Sequence, residues 1–162
     1  MRHKPKCCYS NPANPLPCRG DIIYVKSEIY TIHRLVKHED LNHHGTLYAG
    51  RTAEWFVEAG FIAASSLLTP ASTVCLQIHG MTFLRPVHLG EIAFFQSHVV
   101  YSGRSKLVSY VNMKAAGELV VEGFITFVHV DAEGKVLPHE INIIPETEEE
   151  LALYQRAENL FK

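Results

Sequence analysis

The chain has almost no net charge. Fifteen Lys and Arg stand against 17 Asp and Glu among 162 residues, a formal −2 at pH 7. Without an excess of cations there is no global field to attract a nucleic-acid backbone, so no nucleic-acid partner is expected, although a local anion site stays open. Long apolar runs are missing too. The longest, FIAASSLL at 61–68, is far shorter than the roughly 20 residues of a spanning helix, and no membrane partner is expected. The opening MRHKPKCCYSNPANPLPC is basic but has no apolar core, so it does not read as a signal peptide and a cytoplasmic protein is expected. Cysteine is scarce. Cys7, Cys8, Cys18 and Cys75 form no C-x-x-C pair and have no zinc-site spacing. Free thiols in a reducing compartment, and no metal or cofactor, are the expectation.

What is present suits one domain with a proper core, at 47% hydrophobic and 20% charged residues. Pro5, Pro12, Pro15 and Pro17 mark residues 1–20 as an irregular arm. The stretch from Ile22 to Val36 is rich in β-branched and aromatic residues and reads as one long strand. A loop, KHEDLNHHGTLYAG, follows, and then a helix from about Arg51 to Leu68, stopped near Pro70. Next come four strands, TVCLQIHGMTF, EIAFFQSHVVY, KLVSYVNMK and ELVVEGFITFVHV, with short connections that suggest an antiparallel meander. Thr147 and Glu150 have capping-box spacing at the start of a terminal helix. The chain therefore divides into an arm (1–20), a body (21–145) and a terminal helix (146–162). Ala53, Val57, Gly60 and Ala64 fall on one helical stripe. Such small residues let a helix sit deep in a curved sheet, which makes the class α+β.

Several segments in order resemble the hotdog-fold acyl-CoA thioesterases. DLNHHGTLYAG resembles their Asn-x-x-Gly loop, WFVEAGFIAA their central helix, and FLRPVHLGE their Phe-x-x-Pro-x-x-x-Gly-Asp/Glu turn. SGRSKLVSYV resembles their Gly-Arg-Ser turn and ITFVHVDAEGKVLP their last strand. The resemblance spans roughly residues 22–145. It implies an antiparallel sheet wrapped around a long central helix, and a dimer joined edge to edge, or a trimer of dimers. It further implies an acyl-CoA as substrate, with CoA released rather than kept as a cofactor.

Thioester hydrolysis needs a carboxylate to activate water, donors for the oxyanion, and a cradle for the CoA. The loop–helix junction Tyr48-Ala49-Gly50-Arg51 offers free backbone N–H groups and a favourable dipole. By resemblance, Gly50 and its neighbours donate to the thioester oxygen. Asn42 matches the loop asparagine, whose amide holds water or carbonyl; an Asx turn is the plainer use. The family's acid stands seven residues after the second residue of a Gly-Gly pair. Here the pair is Ala49-Gly50, and the seventh residue is Val57. Glu58 and Glu54 are the rival replacements, and loss of the acid is the third option. Arg51, Glu54, Glu58 and Ser65 also share a face that could simply be solvated. His43 and His44 could act as base or donors, with His44 the substrate-binding candidate. Tyr48 could line the acyl channel, as could Trp55, Phe56, Phe61 and Phe83, though each also suits a core. Gly103, Arg104, Ser105 and Lys106 match a turn that contacts the CoA nucleotide in relatives, and Arg85 is a further cation for phosphate. The alternative function is a hotdog protein that binds an acyl-CoA without hydrolysing it, as a sensor or carrier. A hotdog dehydratase ranks below both, because the loop matches thioesterases better.

Overall fold

The computed structural model describes residues 22–162. The proline-rich arm, with Cys7, Cys8 and Cys18, lies outside the described residues. The strands are β1 (Ile23–Val25), β2 (Tyr30–Leu35), β3 (Thr73–His79), β4 (Ile92–Ser102), β5 (Lys106–Ala115), β6 (Glu118–His129) and β7 (Ile141–Ile143). The helices are α1 (Ala49–Leu67) and α2 (Glu148–Asn159).

The fold is the expected hotdog arrangement, a five-stranded antiparallel sheet in the order β2-β4-β5-β6-β3 with α1 packed on one face. Two expectations need correction. The long strand from Ile22 to Val36 is two strands. Residues 26–29 break it, β1 leaves the sheet, and it pairs in parallel with β7. The four later strands are not a simple meander either. β4, β5 and β6 are, but β3 pairs with β6 at the far edge. The reason is α1, which separates β2 from β3 and carries the chain across the sheet before β3 begins.

The buried face of α1 comprises Thr52, Trp55, Phe56, Ala59, Gly60, Ala63 and Ala64. It packs on Phe95, Val111, Met113, Ile125 and Phe127 of the sheet. The predicted stripe is half right: Gly60 and Ala64 are buried, whereas Ala53 and Val57 are only half-buried. At Gly60 a Cβ would lie 2.8 Å from Ile125 Cδ1, so a larger residue would require the Ile125 side chain to shift. Two buried serines reinforce the contact. Ser97 Oγ donates to the carbonyl of Ala59 at 2.7 Å, and Ser109 Oγ to that of Gly60 at 2.9 Å.

The opposite face of the sheet is covered in part by α2. Leu153 and Ala157 pack on Val100, Val108 and Phe124. The expected capping box starts this helix: Thr147 Oγ1 accepts from the Glu150 amide at 3.1 Å, and Glu150 Oε2 from the Thr147 amide at 3.2 Å. Arg156 extends from it over the Phe124 ring at 5.0 Å.

Candidate active site at the loop–helix junction

The loop before α1 is held by its own polar groups. Asn42 Oδ1 accepts from the amides of His44 (2.8 Å) and Thr46 (3.3 Å), and its Nδ2 donates to Thr46 Oγ1 at 3.1 Å. The Asx-turn use of Asn42 is therefore real. It occupies the carbonyl end of the amide and leaves one Nδ2 hydrogen free. The His43 and His44 ring centroids lie 3.9 Å apart with the planes tilted by 44°, on the exposed side of the loop. The loop is bound to the β3–β4 connection by the Leu47 amide, which donates to the Val87 carbonyl at 2.8 Å.

α1 begins at Ala49, two residues earlier than its expected start, with Tyr48 as N-cap and no side-chain capping bond. The first amides of the helix thus face outward without a cap acceptor. Gly50 lies under a neighbouring side chain. The Tyr48 ring folds back over it, and a Cβ there would overlap the ring.

The two candidate acids differ in setting. Glu54 lies four residues after Gly50, about 40° from it around the helix and roughly 6 Å along the axis. Its Oε2 accepts from Arg51 Nη1 at 2.7 Å. Glu58 is about 80° from Gly50 and is drawn sideways into an ion pair with Arg34 of β2. The Arg34 guanidinium stands 5.9 Å from the Trp55 ring centroid. Both acids are exposed, with Glu54 at 64% and Glu58 at 46% of the side chain. Val57 packs against the core cluster around Phe95 and Phe127.

One residue here escaped the sequence reading. Asp40 is buried, at 4% exposure, with its Oδ1 3.2 Å from Arg51 Nε and its Oδ2 accepting from the Lys37 amide at 3.0 Å. Among the many polar residues of KHEDLNHHG nothing in the text singles it out. Beside it, the hydrogen bond from Lys37 holds the Glu39 carboxyl below the usual carboxylate range, with Arg51 adding to the effect.

A cavity of about 320 Å³ opens behind the loop, between Asn42, Thr46, Ala49, Thr52, Phe83 and Arg85. Of the aromatic candidates, Phe83 borders this cavity, Trp55 and Phe56 belong to the core, and Phe61 packs edge-on against Phe127. Arg85 is already engaged. Its guanidinium binds Glu91 at 2.8 Å, Glu118 at 3.2 Å and the Ala115 carbonyl at 2.9 Å, which makes it a brace between β4 and the β5–β6 turn.

The Gly103-Arg104-Ser105-Lys106 turn is not beside the loop. It joins β4 to β5, at the end of β4 away from the loop. Eleven residues of strand separate the two, or roughly 35 Å at about 3.3 Å per residue. In the turn Gly103 donates to the Lys106 carbonyl at 2.8 Å, Arg104 is exposed, and Lys106 Nζ sits 4.4 Å from the Phe161 ring centroid.

Among the described residues no three His, Cys, Asp or Glu side chains are grouped to hold a metal. No helix among them is long and apolar enough to cross a membrane.

Several known proteins are similar to this chain. The sequence model of the thioesterase superfamily matches residues 44–122. An uncharacterized acyl-CoA thioester hydrolase of Bacillus subtilis is 30% identical over 124 residues, 73% of this chain and 71% of that protein. Among solved structures, the acyl-CoA hydrolase of Bacillus cereus is 26% identical, with 81% of this chain and 82% of that one covered and a TM-score of 0.73. The acyl-CoA hydrolase of Staphylococcus aureus, solved with butyryl coenzyme A, coenzyme A and coenzyme A disulfide, is 26% identical over 81% of this chain and 80% of that one, at a TM-score of 0.70. A hexameric acyl-CoA thioesterase in its apo form is 27% identical over 81% and 86%, at a TM-score of 0.73.

Proposed function

The chain belongs to the thioesterase superfamily, and on that premise we propose that it hydrolyses an acyl-CoA to the free acid and CoA, with Glu54 as the general base. What supports this reading is that one loop–helix segment carries all three groups the reaction needs: the uncapped amides at Gly50, the free Nδ2 hydrogen of Asn42, and Glu54 one turn after Gly50. In this mechanism Glu54 takes a proton from water as the water oxygen attacks the thioester carbonyl. The Gly50 amide donates to the resulting oxyanion, where the helix dipole also favours negative charge. Asn42 orients the water or the carbonyl. Collapse of the tetrahedral intermediate breaks the C–S bond, and the CoA sulfur leaves as thiolate and is protonated.

Glu54 is preferred to Glu58 because Arg34 draws Glu58 toward the sheet edge. The absence of the family's usual acid at Val57 has independent support. Variants of the Staphylococcus aureus hydrolase alter an asparagine and an aspartate fifteen positions apart. Fifteen positions after Asn42 this chain has Val57.

The site is completed by a second copy. β3 is an edge strand whose Val74, Leu76 and Ile78 are exposed, an edge suited to pairing with its symmetry mate. A two-fold axis across that edge reverses the direction of the second sheet. It thereby brings the 103–106 turn of one copy toward the loop of the other, where Arg104 and Lys106 suit the CoA phosphates. Assembly as a dimer, or as a trimer of such dimers, follows from this reading.

Val57 favours a second reading, an acyl-CoA-binding protein without turnover. Steady-state thiol release from short-, medium- and long-chain acyl-CoAs separates the two, with Glu54→Gln and Glu58→Gln beside the parent. The hydrolase reading expects turnover by the parent and loss of about 100-fold or more in kcat for Glu54→Gln. Glu58→Gln should stay within about threefold, since a half-exposed ion pair contributes little. If Glu58→Gln is the inactive variant, Glu58 is the base. A parent that binds acyl-CoA but hydrolyses none of the panel is the binding protein.

A further inference from the structure

Asp40 stands out among the groups that the proposed mechanism leaves unused. An ionised carboxylate at 4% exposure is costly unless it is paired and hydrogen-bonded. Closing the turn by accepting the Lys37 amide needs only an oxygen, which asparagine or serine would supply. The negative charge is accounted for by what it faces, the Nε of Arg51 at 3.2 Å. Asp40 also grips the junction through its backbone, for its carbonyl accepts from the Tyr48 amide at 2.8 Å. Arg51 in turn reaches Glu54 through Nη1 at 2.7 Å. One guanidinium is thus shared between a buried anion on the loop and an exposed anion on the helix. Glu39 and Lys37 are the other charged groups close to Arg51, and they pair with each other at 2.8 Å. Glu58, one turn further along α1, is engaged by Arg34.

We propose that Asp40 is a positioning residue of the hydrolase, acting through Arg51 to hold the Glu54 carboxylate over the Gly50 turn. The physical logic is restraint. A solvent-exposed glutamate on a helix samples several rotamers. An arginine free at both ends would follow it, and such a surface pair fixes little. Tying Nε to a buried carboxylate immobilises the guanidinium, and its remaining Nη1 donor then offers Glu54 one preferred place. The inference rests on the hydrolase reading with Glu54 as base.

The test uses Asp40→Asn and Arg51→Gln in the full chain. Asparagine keeps the turn oxygen and removes the charge that anchors Arg51. With that charge gone the guanidinium is no longer tied to the loop, and Glu54 is less well held. The expected result for Asp40→Asn is a kcat lower by roughly tenfold with KM changed less than about twofold. Arg51→Gln removes the bridging cation and should lower kcat to a similar extent. The double variant should be no slower than the single ones, a non-additivity that independent losses of stability do not produce. A second readout is independent of turnover: the Arg51 Nε–H, followed by nitrogen-15 NMR, should exchange slowly in the parent and fast in Asp40→Asn. An active parent whose kcat is unchanged in Asp40→Asn overturns the positioning role, as does rapid Nε–H exchange in the parent. A parent inactive on every acyl-CoA overturns the hydrolase reading itself, and the positioning role with it; the Nε–H measurement then reports only on the ion pair.

Discussion

Three buried serines of the sheet make hydrogen bonds that look alike but should differ in energetic consequence. Ser97 and Ser109 donate to the carbonyls of Ala59 and Gly60, in the middle of α1. Those carbonyls lie where the helix supplies an acceptor bond of its own from four residues on, so removal of the hydroxyl orphans nothing. Ser102 is used the other way round. Its Oγ accepts from the Ile143 amide at 3.1 Å. Ile144 donates to Val25 across the β1–β7 pair, so the amide of Ile143 points away from β1 and toward Ser102. Ser102 is 9% exposed and Ile143 6%, so water is a poor substitute acceptor. Ser97→Ala and Ser109→Ala should each cost the net value of one neutral hydrogen bond, about 1 kcal/mol. Ser102→Ala should cost about 2 kcal/mol or more, since a buried donor is left unpaired. Guanidinium unfolding at one fixed chain concentration measures all three, with unchanged m-values confirming comparable end states. Thermal midpoints should fall by roughly 2–4 °C per kcal/mol at this size. Equal losses for the three variants would refute the orphaned-donor reasoning. Losses below about 0.3 kcal/mol at 97 and 109 would show that apolar contacts alone hold α1 to the sheet.

Two further outcomes follow from named groups. Burial pushes the pKa of His98 down, against an upward pull from Glu150 and Glu149, and burial moves His139 the same way. A histidine whose folded pKa lies below its unfolded value of about 6.5 leaves the unfolded state to take up protons first. Stability should therefore be fully present above pH 6.5 and decline below it. His98→Phe, which preserves the edge contact to the Tyr110 ring, should lose less stability than the parent between pH 7.5 and 5, as read by denaturant titration. At the open edge of β3, the double substitution Leu76→Asp, Ile78→Asp should halve the mass seen by light scattering, to one 18.2 kDa chain from a dimer or to three chains from a trimer of dimers. An unchanged mass would exclude this edge as the self-association surface.

Local signals in the text accounted for much of this protein. The helix came from an apolar periodicity ended by Pro70, and the α2 cap from Thr147 and Glu150, because such features are written within a few adjacent residues. The Asn42 loop and the Gly50 junction were legible for the same reason, since turn and helix start are contiguous in the chain. The break between β1 and β2 was not legible. Both halves have strand-like composition, and only the distant β7 decides that the first half pairs there. The place of β3 beside β6 was likewise decided by where α1 delivers the chain. The roles of the charged residues were the least legible, because charge in a sequence carries no partner. Arg85 suits a phosphate in the text and braces Glu91 and Glu118 in the fold. Asp40 is one of several polar loop residues in the text, yet folding buries it against Arg51. The two helices, the α+β class and the loop–helix junction could be read from the sequence alone, since they depend on neighbours a few residues apart. Only the folded chain pairs Glu58 with Arg34, because that partner lies on a strand twenty-four residues distant in the chain.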